Sequence, residues 1–231
     1  MKDKNNEIVS LLTHKSATKQ QIYRITLEVF TQFKKQLDEV QTMLASQMND
    51  ANVEIRYTDA GTFEAHLKFS GDTLIFMMHT NVFTFPDAHF TKTGKYVKED
   101  PMRGYCGLIQ IYNFLSDSIK YNREEDLGDL VARIFVNKDK HFFIEGKRPL
   151  SLNHNKFHKE SISNDSIVNI IQECILYCLN FDLITPPIEL VQNITVDQKN
   201  YQSYSSGFAT SKNVGIGFQF RSMSKESDNP V

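Results

Sequence analysis

The chain has few of the features that mark several large protein classes. Its three cysteines, Cys106, Cys174 and Cys178, are too few and too scattered for a disulfide framework. No apolar run approaches the ~20 residues of a membrane-spanning helix, and the run over 8–12 is too interrupted for a signal-peptide core. The formal net charge is -2, so the chain does not have the excess of basic residues that is typical of a non-specific nucleic-acid binder. We therefore expect a cytoplasmic protein with no membrane partner.

Phosphate-binding motifs, nucleophile motifs and internal repeats are missing as well. Neither standard glycine-rich phosphate loop occurs, and there is no Gly-x-Ser-x-Gly, so we expect no cofactor. The chain does contain enough apolar material for a core, with 40% hydrophobic residues. We expect one domain over 1–200. Beyond it, 201–231 should form a linker containing serine and glycine, a late strand at Val214–Phe220 and a disordered tail.

Two stretches have the apolar spacing of amphipathic helices. Apolar residues recur every three or four positions from Ile22 to Met48, which predicts a long helix over Ala17–Met48. Thr18 and Gln21 fit a capping box at its start, and a shorter helix over Glu7–Leu12 would precede it. A second good helix begins at Ser163 or Asp165 and ends near Asn180.

Between these helices the pattern has the period of two that is typical of strands. Strands are predicted over 53–57, 62–69 and 73–85, joined by short turns, and a hairpin is predicted over 129–147. The stretch 104–115 is ambiguous but favours a strand. Because strands and helices do not alternate regularly, we predict an α+β fold. In it the long N-terminal helix packs on a largely antiparallel meander sheet, with a second helix near the C-terminus.

The hairpin carries the most specific chemical pattern in the chain. Its first strand begins at Asp129, and its second strand ends in Glu145-Gly146-Lys147. An Asp followed by Glu-x-Lys on the next strand resembles the PD-(D/E)xK nucleases, and the resemblance covers only this hairpin. It implies that Asp129 and Glu145 hold Mg²⁺, with Asp126 as a reserve carboxylate. Lys147 would then lie beside the attacking water or the scissile phosphate.

The register of the hairpin decides whether these groups converge. A two-residue turn at Lys138-Asp139 pairs Val136 with His141 and Ala132 with Glu145. In that register Asp129 lies on the face opposite Glu145, and a one-residue slip or a bulge would bring the two together. The competing interpretation is that Glu145 and Lys147 are solvated surface charges.

Polar residues near strand ends form a second candidate site. His79 and Asn81 follow a long apolar run, Arg103 precedes the next strand, and His141 and Arg148 flank the second strand of the hairpin. Such positions are common places for ligand binding. His154 and His158 have the spacing of two metal ligands on a helix, but their loop-like surroundings favour solvated side chains.

These patterns lead to two functional hypotheses, and a third class, a purely structural assembly subunit, would differ from both in having no concave polar site. The favoured one is a non-catalytic binding or interaction domain that uses the long helix and the polar surface. Its partner would be a protein, or a second copy bound through the long helix or through the strand at Val214–Phe220. The alternative is a Mg²⁺-dependent phosphodiesterase using Asp129, Glu145 and Lys147, for which a nucleic acid would be the partner.

Overall fold

Six strands form one antiparallel sheet in the computed structural model, which describes residues 2–124, 126–154, 157–182, 185, 187–196 and 199. The strands follow one another in the sheet in chain order, so each pairs with the next. This is the predicted meander, and it confirms the α+β class. The strands are β1 (Ile55–Asp59), β2 (Glu64–Phe69), β3 (Asp72–Phe83), β4 (Cys106–Leu115), β5 (Asp129–Asn137) and β6 (Phe142–Gly146).

Helices precede, interrupt and follow the sheet. The first is nearly continuous, and consists of α1 (Lys2–Leu11), a π-helical turn (Leu12–Ser16) and α2 (Ala17–Gln47). The short helices are α3 (Phe90–Thr93), α4 (Lys95–Glu99), a 3-10 turn (Pro101–Gly104), α5 (Ser116–Lys120) and α6 (Leu150–Asn153). The chain continues with α7 (Asn164–Leu179) and α8 (Ile188–Val191). Among the described residues, no helix combines the length and the apolar character needed to cross a bilayer.

The long helix α2 supplies one side of the main core. Its stripe from Ile22 to Val40 is buried, as the spacing predicts. Phe33 is fully buried, and its ring centroid lies 6.1 Å from that of Phe76 on β3. α2 approaches β4 so closely that a Cβ atom at Gly107 would overlap the Thr26 side chain. α2 and α7 therefore cover one side of the sheet, which we call the helix face.

The capping box predicted at Thr18 is wrong, although α2 begins at Ala17 as predicted. The Thr18 hydroxyl donates a hydrogen bond to the carbonyl oxygen of His14 at 2.8 Å, inside a helical run that already began at Lys2. A threonine that bonds the carbonyl four residues earlier sits in a helix interior, so Thr18 caps nothing. By contrast, Ser163 does cap α7, because its hydroxyl oxygen accepts from the Ser166 amide at 3.2 Å.

The other side of the sheet, the open face, carries a smaller apolar cluster at the end where β3 finishes and β4 begins. The segment between these two strands folds back over this end and buries it. The buried members of the cluster are Val97, Cys106, Leu108, Phe135, Phe143 and Phe157. Phe85 and Tyr96 pack against them. The same end of the sheet therefore holds the β5–β6 loop, α3 and α4.

The predicted hairpin register is off by one residue. The structure pairs Val136 with Phe142 and Arg133 with Glu145. The connection is longer than a two-residue turn, and Lys140 adopts a positive φ of 61° within it. Val131 is an extra residue opposite β4, since Ile111 pairs with Ala132 and Tyr112 pairs with Leu130. The linker and the late strand predicted for 201–231 lie outside the described residues.

Candidate binding surface at one end of the sheet

One buried side chain, Asn137, organises the loop between β5 and β6. Its Oδ1 accepts hydrogen bonds from the backbone amides of Asp139 and His141, at 2.9 and 3.0 Å. Its Nδ2 donates to the Tyr96 hydroxyl at 3.1 Å and to the Arg103 carbonyl at 3.3 Å. All four bonding positions of this fully buried amide are used. Asn137 therefore fixes the hairpin loop against the segment that precedes β4.

Tyr96 is the centre of the side-chain contacts at this end. Its hydroxyl donates to Asp139 Oδ2 at 2.7 Å, and its ring stacks on the His141 ring with 5.1 Å between centroids. The Arg103 guanidinium also lies over the Tyr96 ring, with its Cζ 4.4 Å from the ring centroid. Arg103 Nε also donates to Asp139 Oδ2 at 3.1 Å. The predicted residues Arg103 and His141 thus meet through Tyr96.

Burial and hydrogen bonding set the ionisation of these groups. Burial raises the pKa of the Tyr96 phenol to about 12, so the hydroxyl stays protonated at neutral pH. Burial also tends to raise the pKa of the Asp139 carboxyl, but hydrogen bonds from Tyr96 and Lys138 outweigh it and hold that pKa below its usual value. Asp139 is therefore an anion that its neighbours already neutralise.

A cleft of about 450 Å³ opens beside this group, and we call it the Tyr96 cleft. Its floor is apolar, since Val97 and Phe157 are buried, and Phe90 stands at its edge with 43% of its surface exposed. Lys95, Glu99 and His158 supply the polar rim. The full lining comprises Phe90, Thr91, Gly94, Lys95, Tyr96, Val97, Glu99, Phe157 and His158.

The rim of the Tyr96 cleft carries one lysine and one carboxylate, Lys95 and Glu99, together with His158. Glu99 is its carboxylate, and Arg103 Nη1 lies 3.4 Å from Glu99 Oε2. Lys95 has no ion-pair partner among the described residues, and His158 is exposed. A negatively charged group at the rim would therefore meet Lys95 without competing with an existing salt bridge.

The remaining predicted ligand-binding residues lie apart from Tyr96. His79 accepts a hydrogen bond from the Asn81 amide at 3.0 Å, and its ring contacts Phe83 edge-on at 4.8 Å between centroids. Both residues end β3 at the same end of the sheet as the cleft. Arg148 lies at the other end of the hairpin, where it lines a second cleft of about 340 Å³ together with residues of α7.

The residues of the nuclease-like motif are divided between the two faces of the sheet. On the helix face, Lys147 Nζ lies 3.1 Å from Asp129 Oδ1, and the Tyr177 hydroxyl of α7 donates to Asp129 Oδ2 at 3.3 Å. Burial disfavours the charge of Lys147, but these two partners raise its pKa overall. The extra residue in β5 and the end of β6 at Gly146 explain this placement. Two residues apart on one strand, Glu145 and Lys147 would share a face and meet at one metal site, but Lys147 lies on the opposite face from Glu145.

Glu145 lies on the open face, away from Asp129. It forms an ion pair with Arg133, and His89 Nε2 lies 3.4 Å from its Oε1. Asp126 is buried elsewhere, where Arg123 Nε lies 3.1 Å from its Oδ2 and the Ser118 hydroxyl donates to the same atom at 2.5 Å. In the described ranges, no three or more His, Cys, Asp or Glu side chains gather in a possible metal site. A metal held by both Asp129 and Glu145 would need a different β5–β6 arrangement.

The predicted histidine pair is also separated. His158 is at the rim of the Tyr96 cleft, whereas His154 is buried against α7 with its Nε2 3.7 Å from Glu173 Oε2. The three thiols are buried, and burial raises the pKa of each, to about 12 for Cys178. Low thiolate content makes them poor nucleophiles.

The helical run extends beyond the body of the protein at this same end of the sheet. Every residue from Asp3 to Ser16 is exposed, and we call this segment the projection. It leaves the body where Lys15 and Lys19 reach over the Tyr105 ring, with Nζ atoms 5.9 and 5.3 Å from its centroid. Its large apolar side chains are half or more exposed: Ile8 53%, Val9 60%, Leu11 51% and Leu12 58%.

Comparisons with protein-family models, with curated proteins and with solved structures found no match in any of the three. Sequence reasoning had selected Arg103 and His141 but missed Tyr96, Asn137 and Phe157, which hold them together. One signal was present: Asn137-Lys138-Asp139 places two turn-forming side chains between two apolar strands. Nothing in the sequence linked that loop to Tyr96.

Proposed function

We propose that this protein is a non-catalytic binding domain whose ligand site is the Tyr96 cleft. The observation that carries the proposal is an apolar, aromatic floor with a lysine at its rim that has no ion-pair partner among the described residues. Small-molecule sites typically have volumes of about 300–1,000 Å³, apolar walls and a few polar groups that fix orientation. The 450 Å³ cleft has this size and composition.

The cleft favours a ligand with an aromatic or bulky apolar group that carries a negative charge. The apolar part would displace water from Phe90, Val97 and Phe157, and aromatic rings prefer the edge-to-face and offset contacts that these side chains offer. Lys95 would meet the anion. Glu99 is in contact with Arg103, and Lys95 has no ion-pair partner among the described residues.

Binding is favoured over chemistry because the polar groups near the cleft already have structural partners. The Tyr96 hydroxyl, Asp139 and Asn137 bond one another, and His141 Nδ1 donates to the Phe157 carbonyl at 3.1 Å. Groups held in this way stabilise the walls of a preformed site, which lowers the entropy that a ligand loses on binding.

The test uses naphthalene-2-carboxylate and its uncharged amide as probes, with binding measured by ligand-observed NMR. We expect the wild-type protein to bind the carboxylate more tightly than the amide. Phe90→Ser should weaken both, and Lys95→Gln should remove only the preference for the carboxylate. The matched control is Tyr121→Ser, because Tyr121 is 41% exposed, lies beside Lys120 and lines neither described cleft. Equal binding by all variants would contradict the proposal.

The exposed apolar side chains of the projection favour a second role for the protein, the binding of a protein partner. Most helical stability in proteins comes from packing one face of the helix against a partner. Residues 3–16 have no such packing in the described part of the chain, yet they present four large apolar side chains.

The phosphodiesterase alternative has no structural observation in its favour. Asp129 and Glu145 have separate partners on opposite faces of the sheet. Mg²⁺ binding by these carboxylates stays a prediction from the sequence pattern, which a titration with the metal would test.

A further inference from the structure

We infer that the partner of the projection is a second copy of this chain, paired antiparallel about a twofold axis near Leu11. The inference rests on the interaction role proposed for the projection and identifies the partner that it binds. The observations that carry it are the arrangement of charges along residues 3–19, the π-helical turn within them, and the site at which the projection leaves the body.

Along one line of the projection, charges of the same sign lie four residues apart at each end. Lys4 also lies at the first end, but about 100° around the helix from Asp3 and so off this line. Asp3 and Glu7 form an acidic pair, and Lys15 and Lys19 form a basic pair. Like charges at this spacing are neighbours on a helix and destabilise it. None of the four has an ion-pair partner among the described residues. Such a helix gains most from a partner that brings the opposite charge to each end.

An antiparallel copy provides that complement. If Leu11 faces Leu11 of the copy, Glu7 faces Lys15 of the copy and Asp3 faces Lys19, because each pair of numbers sums to twice eleven. The twofold axis repeats both pairs, which gives four ion pairs in the dimer. A parallel copy in register would instead place like charges together at both ends, so the charge pattern specifies the orientation.

The π-helical turn helps one side of the helix carry the five positions of the proposed contact, which are Asp3, Glu7, Leu11, Lys15 and Lys19. Residues four apart drift around an α-helix, because a turn holds 3.6 residues. The turn at Leu12–Ser16 bonds each amide to the carbonyl five residues earlier and so winds less per residue. Across it, Leu11, Lys15 and Lys19 stay more nearly in line. The Lys15 and Lys19 ammonium groups do point the same way, toward Tyr105.

The base of the projection is shaped to receive an acidic helix end. Two ammonium groups lie within 5.9 Å of the centroid of one ring, that of Tyr105. In the proposed pair, Asp3 and Glu7 of the copy would meet these ammonium groups, while Ile8 and Leu12 of both copies would be buried beside Leu11. Residues 3–19 provide about 24 Å of helix contact. Because this is short for a permanent interface, we expect a reversible dimer.

The test uses two full-length charge variants and analytical ultracentrifugation. Asp3→Lys with Glu7→Lys makes the four positions all basic, and Lys15→Glu with Lys19→Glu makes them all acidic. Each variant alone should dimerise about tenfold or more weakly than the wild type, since four exposed ion pairs become repulsions. Mixing the two variants should restore a dimer that contains one copy of each. Far-UV circular dichroism confirms that both remain folded.

Orientation is tested separately by disulfide formation. The native thiols are buried, so an introduced surface cysteine is the exposed one. Glu7→Cys mixed with Lys15→Cys should cross-link, whereas each alone should not. A wild-type protein that is monomeric up to about 1 mM would overturn the inference. So would a dimer whose affinity is unchanged by the charge variants. A photo-reactive residue at Leu11 then separates the two proposals: an adduct with a different protein overturns self-pairing only, and no adduct overturns the interaction role as well.

Discussion

Replacing Asn137 by alanine should destabilise the protein strongly, because this one amide joins the β5–β6 loop to the segment before β4. The substitution removes four hydrogen bonds of 2.9, 3.0, 3.1 and 3.3 Å from a side chain with no exposed surface. Each is worth about 1 kcal/mol net, and unpaired buried groups cost more, so we expect a loss of about 3–5 kcal/mol. For a chain of this length that corresponds to a fall in melting temperature of about 10 °C.

The assay is reversible urea unfolding together with calorimetry. Asn153→Ala is the matched control, because Asn153 is exposed and makes one side-chain hydrogen bond, to Glu173 Oε1 at 2.8 Å. It should change the free energy of unfolding by less than about 1 kcal/mol. A loss below about 1 kcal/mol for Asn137→Ala would refute the reasoning, since the loop would then keep its conformation without the amide. Binding by the Tyr96 cleft should weaken in the same variant.

Three further predictions concern the core, the pH response and the metal hypothesis. Phe33→Ala should lower the free energy of unfolding by about 3–5 kcal/mol, whereas Met43→Ala, at a position 41% exposed on the same helix, should change it little. Because the Tyr96 pKa rises from about 10 in the unfolded chain to about 12 on folding, stability should fall as pH rises between these values, and less so in Tyr96→Phe. Saturating Mg²⁺ should leave the melting temperature unchanged, because Asp129 and Glu145 lie on opposite faces; a shift that Glu145→Gln abolishes would support the metal alternative.

The fold could be predicted well because it depends on apolar periodicity. The stripe of α2 and the alternation of β1 to β3 are strong, local signals, and both elements form where the patterns place them. The sequence did not show that the helical run continues through Thr18, because Thr18 has the same sequence signature whether it caps a helix or bonds His14 inside one. A capping box identifies a helix start only where a non-helical residue precedes it.

The site could be predicted only in part, because tertiary contacts assemble it. Arg103 and His141 are far apart in the chain, and Tyr96, which joins them, lies in a segment with no periodic pattern. The hairpin register depended on a loop that the Asn137 side chain stabilises. In the observed register, a regular β5 would place Asp129 on the same face as Glu145. The extra residue at Val131 moves Asp129 to the opposite face. Two local irregularities thus determined whether the nuclease-like carboxylates converge.

Backbone chemical-shift mapping by NMR during titration with naphthalene-2-carboxylate would show whether the Tyr96 cleft is the ligand site. We expect saturable shifts at Thr91, Lys95, Val97 and His158, which line the cleft, and none at Tyr121 or at Arg148 in the second cleft. Shifts that do not saturate, or that occur at Arg148 and along α7 instead, would contradict the assignment of the Tyr96 cleft as the ligand site.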